Sequence, residues 1–175
     1  MSLPDPLPAR ATATLDAAVR AVIAHDLLDG GRHTLEANGL SVRVRVDREA
    51  GSLTLDSFPD IDDDVDTAIG RVRAVVSVEG QPEGHYDGAT GHVSIAVPLH
   101  LDAKSLFARD SDLRLPLSSD RTLDRDGLSA TGDPFDAGDP TVRLVGEGTL
   151  DGGSLDGASV SLILSGTVTD VEALG

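Results

Sequence analysis

Apolar and polar residues alternate most regularly in the segment 92–102. One side of this alternation consists of aliphatic residues, namely Val93, Ile95, Val97, Leu99 and Leu101. A period of two residues is typical of a β-strand with one buried face. The segment 159–171 also carries aliphatic side chains at alternate positions over most of its length. We therefore predict that these two segments are the long strands of one antiparallel sheet.

Shorter alternating segments predict the remaining strands. They cover residues 32–37, 40–47, 52–56, 68–79, 112–117, 122–131 and 141–150. Asn38-Gly39 predicts a two-residue hairpin turn between the first two of them, and Asp126-Gly127 is predicted to fold 122–131 back on itself. The intervening segments are predicted to be loops: 57–67, which is rich in aspartate, 80–91 and 132–140.

The N-terminal part of the chain has a different pattern. Its large apolar residues recur at helical spacing: Leu15, Val19, Val22, Ile23 and Leu27. This spacing predicts an α-helix over 12–29, with Thr14 as its N-cap and Gly30-Gly31 at its end. Residues 1–11 contain three prolines and are predicted to form an extended arm.

About nine locally connected strands and one N-terminal α-helix place the chain in the mainly β class. The predicted architecture is an antiparallel β-barrel, with a two-sheet sandwich as the alternative. The whole chain, 1–175, is predicted to be one β-rich domain, in which the strands occupy 32–171. A domain of this length hides about 70% of the surface of its unfolded chain, so it can build a core without disulfides.

Charge and composition narrow the classes of partner. Thirty acidic and fourteen basic residues leave a net charge of −16, which repels nucleic acid and anionic membranes. The chain has no cysteine, no basic start followed by an apolar run, and no apolar stretch of about 18 residues. We expect a soluble cytoplasmic protein with no membrane span and no nucleic-acid partner.

The aspartates of 60–66 are the strongest candidate for a metal site. Carboxylates stand at the first, third, fifth and seventh positions of this segment, as in a calcium-binding loop. However, Val65 occupies the position where such a loop needs glycine, and Arg71 occupies the position of its bidentate glutamate. We expect no metal and no cofactor, although the sequence leaves calcium binding by this segment open.

Three residues are candidate ligand-binding groups. Tyr86 is the only tyrosine, and its hydroxyl is suited to face a ligand. Arg71 and Arg73 lie on one face of a predicted strand, where two guanidinium groups would hold a carboxylate. No nucleophile motif, nucleotide-binding loop or histidine metal motif accompanies them, so catalytic residues are unknown.

Two functional hypotheses follow. The first is binding of a hydrophobic small molecule in an apolar barrel pocket, with a cofactor-independent cyclase or isomerase as its catalytic form. The alternative is a non-catalytic protein-interaction or assembly domain. The sequence does not indicate an oligomeric state, and it does not decide between enzyme and binder.

Overall fold

The strands of the protein were located in a computed structural model that describes residues 8–104, 109–135 and 139–174. Within these residues the chain forms twelve strands, a short 3-10 turn at Asp29–Gly31 and no α-helix. The strands are β1 (Arg10–Ala24), β2 (Arg32–Asp47), β3 (Ser52–Ser57), β4 (Ile61–Thr67), β5 (Gly70–Val78), β6 (Glu83–Tyr86), β7 (Val93–Ala103), β8 (Ser111–Ser118), β9 (Thr122–Arg125), β10 (Leu128–Thr131), β11 (Thr141–Thr149) and β12 (Ser159–Ala173). The same part of the chain contains no helix long and apolar enough to cross a membrane.

Eight antiparallel strands close on themselves, so the predicted β-barrel is confirmed. Around the ring the order is β1, β2, β3, β6, β7, β8, β11 and β12, which pairs again with β1. The two remaining strands of this sheet extend it, since β5 pairs with the second half of β7 and β4 pairs with β5. Neighbouring strands are joined mostly by short turns, and every ladder is antiparallel.

Strand β7 pairs along both of its edges, and along one of them it changes partner. One edge pairs with β8 from Ser94 to Leu101. The other edge pairs first with β6 and then, beyond Pro98, with β5. Proline has no N–H to donate, and here the missing donor falls where the neighbouring strand changes. The Pro98 carbonyl still accepts a hydrogen bond of 2.9 Å from the Glu79 N–H on that edge.

The predicted N-terminal helix is wrong, because residues 12–24 belong to strand β1. The inward-facing residues of β1 are all buried and alternate along the strand, while Val22 is buried on the outer face. The inward-facing set is Ala11, Ala13, Leu15, Ala17, Val19, Ala21 and Ile23. The helical spacing emerged only because the alanines were not counted as apolar. Counted with them, the period is two over residues 11–17, and the threonines that separate the first alanines favour a strand. Of the predicted arm 1–11, residues 1–7 lie outside the described residues, and Arg10 and Ala11 are part of β1.

The predicted hairpin at Asn38-Gly39 is also wrong, since both of its arms belong to the single strand β2. A type I′ turn requires positive φ at both central residues. Gly39 has a φ of 66°, whereas Asn38 is absent from the residues with positive φ. The pair forms a β-bulge opposite Ala18, between the pairs Ala17–Leu40 and Val19–Ala37.

Asp126-Gly127 does form the predicted turn, because both residues have positive φ, 54° and 80°. The hairpin of β9 and β10 that it connects lies on the outer face of the barrel. There Leu123 and Leu128 pack against Val22 and Val145, which makes a small second core outside the ring. The inner faces of the barrel strands form the main core.

Two predicted loops contain strands. The acidic segment 57–67 includes β4, with Ile61 and Val65 buried on one side and Asp62, Asp64 and Asp66 exposed on the other. The segment 80–91 includes the four-residue strand β6. Of the predicted loop 132–140, residues 136–138 lie outside the described residues.

The alternation of β7 yields a test of the inner and outer faces. Ile95 is buried in the core, whereas Ser94 is half-buried on the outer face. Ile95→Asp places a carboxylate in an apolar interior, which costs several kcal/mol of a total stability of about 5–15 kcal/mol. We expect urea denaturation to show loss of most of the free energy of unfolding for Ile95→Asp and a change below about 1 kcal/mol for Ser94→Asp. Equal losses would mean that both faces of β7 are buried.

Candidate functional site

The inner face of the barrel encloses a cavity of about 140 Å³. Its wall is built from inward-facing residues of nearly every strand of the ring, together with β4 and β5. Representative lining residues are Val19, Val44, Ile95, Leu115 and Leu162. Because these side chains come from strands that are hydrogen-bonded to each other, the wall of the cavity is rigid on most sides.

Small side chains on β1 and β12 leave the cavity unfilled. Ala17, Ala21 and Gly166 all line it, and Ala17 pairs directly with Gly166. Leu162 and Leu164 also line the cavity and are only partly buried, although they lie on the inner face of β12. Larger residues at the alanine positions would fill this space, as they do in barrels with packed interiors. At Gly166 an added Cβ would instead come within 2.9 Å of Leu15 Cδ2.

Among the described residues that line the cavity, no side chain is charged or titratable. Ser77 is the lining residue with a polar side chain, and it pairs with His100 on the outer face of the β5–β7 ladder. Its hydroxyl therefore points away from the interior, because successive residues of a strand face opposite sides. The interior offers van der Waals contact and no hydrogen-bonding partner.

Apolar side chains cover both ends of the barrel. Phe135 lines the cavity at the end where β7 begins, and its N–H donates to the Gly91 carbonyl at 3.1 Å. At the opposite end Leu28, Leu150 and Leu155 are buried in the main core. A ligand in the cavity would be shielded from water at both ends.

Tyr86 lies at the end of β6 and is buried, with 6% of its surface exposed. Burial raises the pKa of its phenol, and the nearby Arg48 partly offsets this effect. The side chain does not line the cavity. Its role as a ligand-binding group therefore stays a prediction without support from the cavity geometry.

Arg71 and Arg73 lie on the outer face of β5 and are exposed. Arg71 donates to Asp66 at 3.0 Å, and Arg73 pairs with Asp62, each across the β4–β5 ladder. The Arg73 guanidinium lowers the pKa of Asp62 below its ordinary value. Both arginines already have carboxylate partners in this structure, and neither lines the cavity, so carboxylate binding by them stays a prediction.

The aspartates of 60–66 do not converge on one point. Along β4, side chains at alternate positions lie about 6.6 Å apart and successive ones face opposite sides, whereas calcium needs its ligands within one tight turn. Asp63 faces the same side as the buried Ile61 and Val65, away from Asp62 and Asp64. The strand geometry therefore favours an ion-paired acidic strand.

A histidine–carboxylate cluster lies on the outer surface, across β5, β7 and β8. Within the described part of the chain, Glu79, His100 and Asp112 are the group with the spacing of a metal site, with one ligand atom from each lying within 4.8 Å of the others. However, His100 Nδ1–H donates to Asp112 at 2.7 Å, and Nε2–H donates to Asp110 at 3.2 Å. An imidazole that donates from both nitrogens is protonated, so we interpret the cluster as an ion-paired imidazolium.

The sequence reasoning missed the alanines that create the cavity, because it assigned them to a helix. The signal was present in the letters ATATLDA at 11–17, where apolar and polar residues alternate once alanine is counted as apolar. What the letters do not contain is that Ala17 faces Gly166, since this contact joins opposite ends of the sequence.

The His100 cluster yields a pH-dependent prediction. Its hydrogen bond to Asp112 is the main cause of a raised pKa, opposed in part by burial, and the Asp112 and Asp110 charges add to it. A raised folded-state pKa contributes stability that is fully present below the unfolded value of about 6.5 and is lost as pH rises through the folded-state value. We expect His100→Gln to lower the urea midpoint more at about pH 6 than at about pH 9.

His85→Gln is the matched control, because His85 is exposed on β6 and makes no side-chain hydrogen bond to a carboxylate among the described residues. Its effect on the urea midpoint is the baseline from which the pH dependence of His100→Gln is measured. A midpoint loss for His100→Gln that does not depend on pH would contradict the imidazolium interpretation.

Comparisons with protein-family models, with curated proteins and with solved structures find no match to this chain. The described residues themselves therefore carry the evidence for function. They establish a closed antiparallel barrel with an apolar cavity at its centre.

Proposed function

We propose that this protein binds a small, uncharged, apolar molecule in the interior of its barrel. The observation that carries the proposal is the cavity of about 140 Å³, whose lining among the described residues is almost wholly aliphatic and aromatic, without a titratable side chain. Well-packed interiors rarely leave space larger than a water molecule. An unfilled apolar space of this size is expected to lower the free energy of unfolding. We therefore infer that the cavity serves a purpose other than stability.

The volume indicates the size of the ligand. An apolar cavity of about 150 Å³ in an engineered protein core stays dry and binds benzene or xenon. Pockets for drug-sized ligands are larger, roughly 300–1,000 Å³. The volume of about 140 Å³ in this barrel therefore fits a compact hydrocarbon of about six carbon atoms, or a hydrocarbon group of that size within a larger ligand.

The lining indicates the chemistry of the ligand. A hydroxyl or amide that enters an apolar site without a hydrogen-bonding partner loses roughly 2–7 kcal/mol relative to water. A charged group loses far more. We infer that the buried part of the ligand carries no polar group, because the cavity wall provides nothing to satisfy one.

Binding is better supported than catalysis. General acid–base chemistry needs a titratable group within hydrogen-bonding reach of the reacting atoms, and none of the described residues that line the cavity carries one. A cyclase or isomerase of this shape would have to act by holding its substrate in a reactive conformation. The cavity wall is compatible with that role but offers no group that favours it over simple binding.

The alternative of a protein-interaction or assembly domain has less support. Among the described residues, Ile69 and Leu174 are the large apolar side chains that are strongly exposed. Interaction surfaces often present a contiguous apolar patch, and two separate residues do not form one. The acidic surface remains a candidate contact for a basic partner.

Filling the cavity is the direct test of binding. Ala21 lines the cavity, so Ala21→Leu places three additional carbon atoms inside it. We expect benzene at about ten times its Kd to stabilise the unmodified protein by roughly 1.4 kcal/mol, or about 3–5 °C in Tm, and to leave the Tm of Ala21→Leu unchanged. Calorimetry with increasing benzene measures both values.

Ala18→Leu is the matched control. Ala18 lies three residues before Ala21 in β1, is half-buried on the outer face and does not line the cavity. This variant should retain the whole benzene-dependent shift. No shift in the unmodified protein at any soluble benzene concentration would refute the proposal. So would an equal shift in Ala21→Leu, since it would locate the binding outside the cavity.

A further inference from the structure

We propose that the apolar ligand enters the barrel sideways, through the gap between β2 and β4, when the β4–β5 hairpin swings away from β2. This inference rests on the proposed binding function. We call this gap, between residues 33–42 of β2 and residues 58–67, the seam. Residues that line the cavity lie on both sides of the seam.

The backbone ladder of the sheet is interrupted at the seam. Along the edge that faces away from β1, β2 pairs with β3 only from Arg43 to Asp47. Strand β4 continues the path of β3 along the same edge, but its ladder is with β5 alone. In the described part of the chain, the backbone contact between the segment that leads into β2 and the end of β4 is an isolated bridge, Leu28 to Thr67.

Two local features explain why the ladder stops. The Asn38-Gly39 bulge bends β2 within the seam, since a bulge increases local twist and turns a strand away from its neighbour. On the facing side, Pro59 lies between β3 and β4 and has no N–H to donate across the gap. The sequence therefore disfavours hydrogen bonding from both sides of the same gap.

Apolar side chains close the seam instead of backbone hydrogen bonds. Leu35 of β2 and Ile61 of β4 are buried, and the partly buried Phe58 packs with them. All three also line the cavity. The seam is thus a part of the cavity wall where side-chain packing, without a continuous ladder behind it, separates the interior from the outside.

A few polar contacts hold β4 in place. His33 Nε2–H donates to Asp63 Oδ2 at 2.7 Å across the seam, and both side chains lie on the faces that carry Leu35 and Ile61. At the end of the strand the Ala68 N–H donates to the Leu27 carbonyl at 2.8 Å. These contacts are few compared with the continuous ladders of β1, so outward movement of β4 breaks fewer backbone hydrogen bonds than separating β1 from either of its neighbours.

The hinge for this movement is already present in the fold. Strand β5 is held to β7 from Ala74 to Val78, while its first residues pair only with β4. The far end of the β4–β5 hairpin, at Thr67 and Gly70, can therefore tilt outward while the ladder with β7 stays intact. The exposed Asp62, Asp64 and Asp66 border this route, which disfavours passage of anions.

A reversible cross-link tests the route. Because the chain has no native cysteine, the two introduced cysteines are the only ones that can form an intramolecular disulfide. Leu28 and Thr67 are directly opposed, so the double variant Leu28→Cys/Thr67→Cys has the close Cα spacing that a disulfide needs. We expect its oxidised form to slow benzene exchange, measured by NMR exchange spectroscopy, at least tenfold relative to its reduced form. The benzene Kd should change less than about twofold, because the cavity itself is unaltered.

Thr122→Cys/Thr131→Cys is the matched control. This pair is likewise directly opposed, and it lies in the β9–β10 hairpin on the outside of the barrel. Its oxidation should leave the benzene exchange rate unchanged. If the oxidised Leu28–Thr67 cross-link binds benzene with unchanged exchange rates, the seam is not the route and only this inference fails. If the unmodified protein binds no benzene, the proposed function fails first.

A second variant tests the seam without a cross-link. Phe58→Ala removes the ring that packs over Leu35 and Ile61, and we expect benzene association and dissociation both to accelerate at least tenfold. Phe135→Ala removes a second ring that lines the cavity, at the end of the barrel where β7 begins. Equal acceleration in both variants would place the entrance at the barrel end and overturn the inference.

Discussion

The ladder between β7 and β8 is the contact on which the rest of the structure depends, because it converts an open sheet into a closed ring. Without it, β8 would end the sheet with an unpaired edge and the inner faces would have to find another layer to cover them. With it, every inward-facing side chain meets the other side of the barrel. The interior then has a fixed volume, and the sizes of the side chains decide how much of that volume is filled.

The interior is a candidate binding site because its side chains do not fill the whole volume that the ring encloses. Valine, leucine and isoleucine fill most of the ring, but β1 contributes alanines and β12 contributes Gly166, so the centre stays open. The same closure excludes polar groups, because a titratable side chain inside the barrel would lose its hydration with no partner to replace it. Charged side chains instead pair on the outer surface, where His100 and its carboxylates cross-link β7 with the segments at β8, and across the seam, where His33 pairs with Asp63. The interior and the exterior thus have separate roles.

The places where the sequence rules fail lie around the cavity and the seam. Pro59 and the Asn38-Gly39 bulge interrupt hydrogen bonding on the two sides of one gap, and the alanines of β1 leave space where a core would be packed. Each of these features lowers the stability that an ideal barrel of this length would have. Their concentration along one side of a closed barrel is consistent with a site that must both hold a molecule and admit it.

The sequence by itself determined most of the antiparallel strands, the Asp126-Gly127 turn and the inner face of β7, because each depends on the order of neighbouring residues in the chain. It did not identify β1, β4 or β6 as strands. Alternation also described β1 correctly once alanine was counted as apolar, but its large residues alone imitated a helix. Only the tertiary structure decided that Asn38-Gly39 is a bulge, since β1 pairs with both arms of β2 and keeps them in one strand. It also decided that Ala17 meets Gly166 beside an empty volume, and that Leu35 and Ile61 face each other across an unpaired seam. The physical reason is that local patterns fix which face of a strand is buried, whereas a cavity depends on which distant strands share that face.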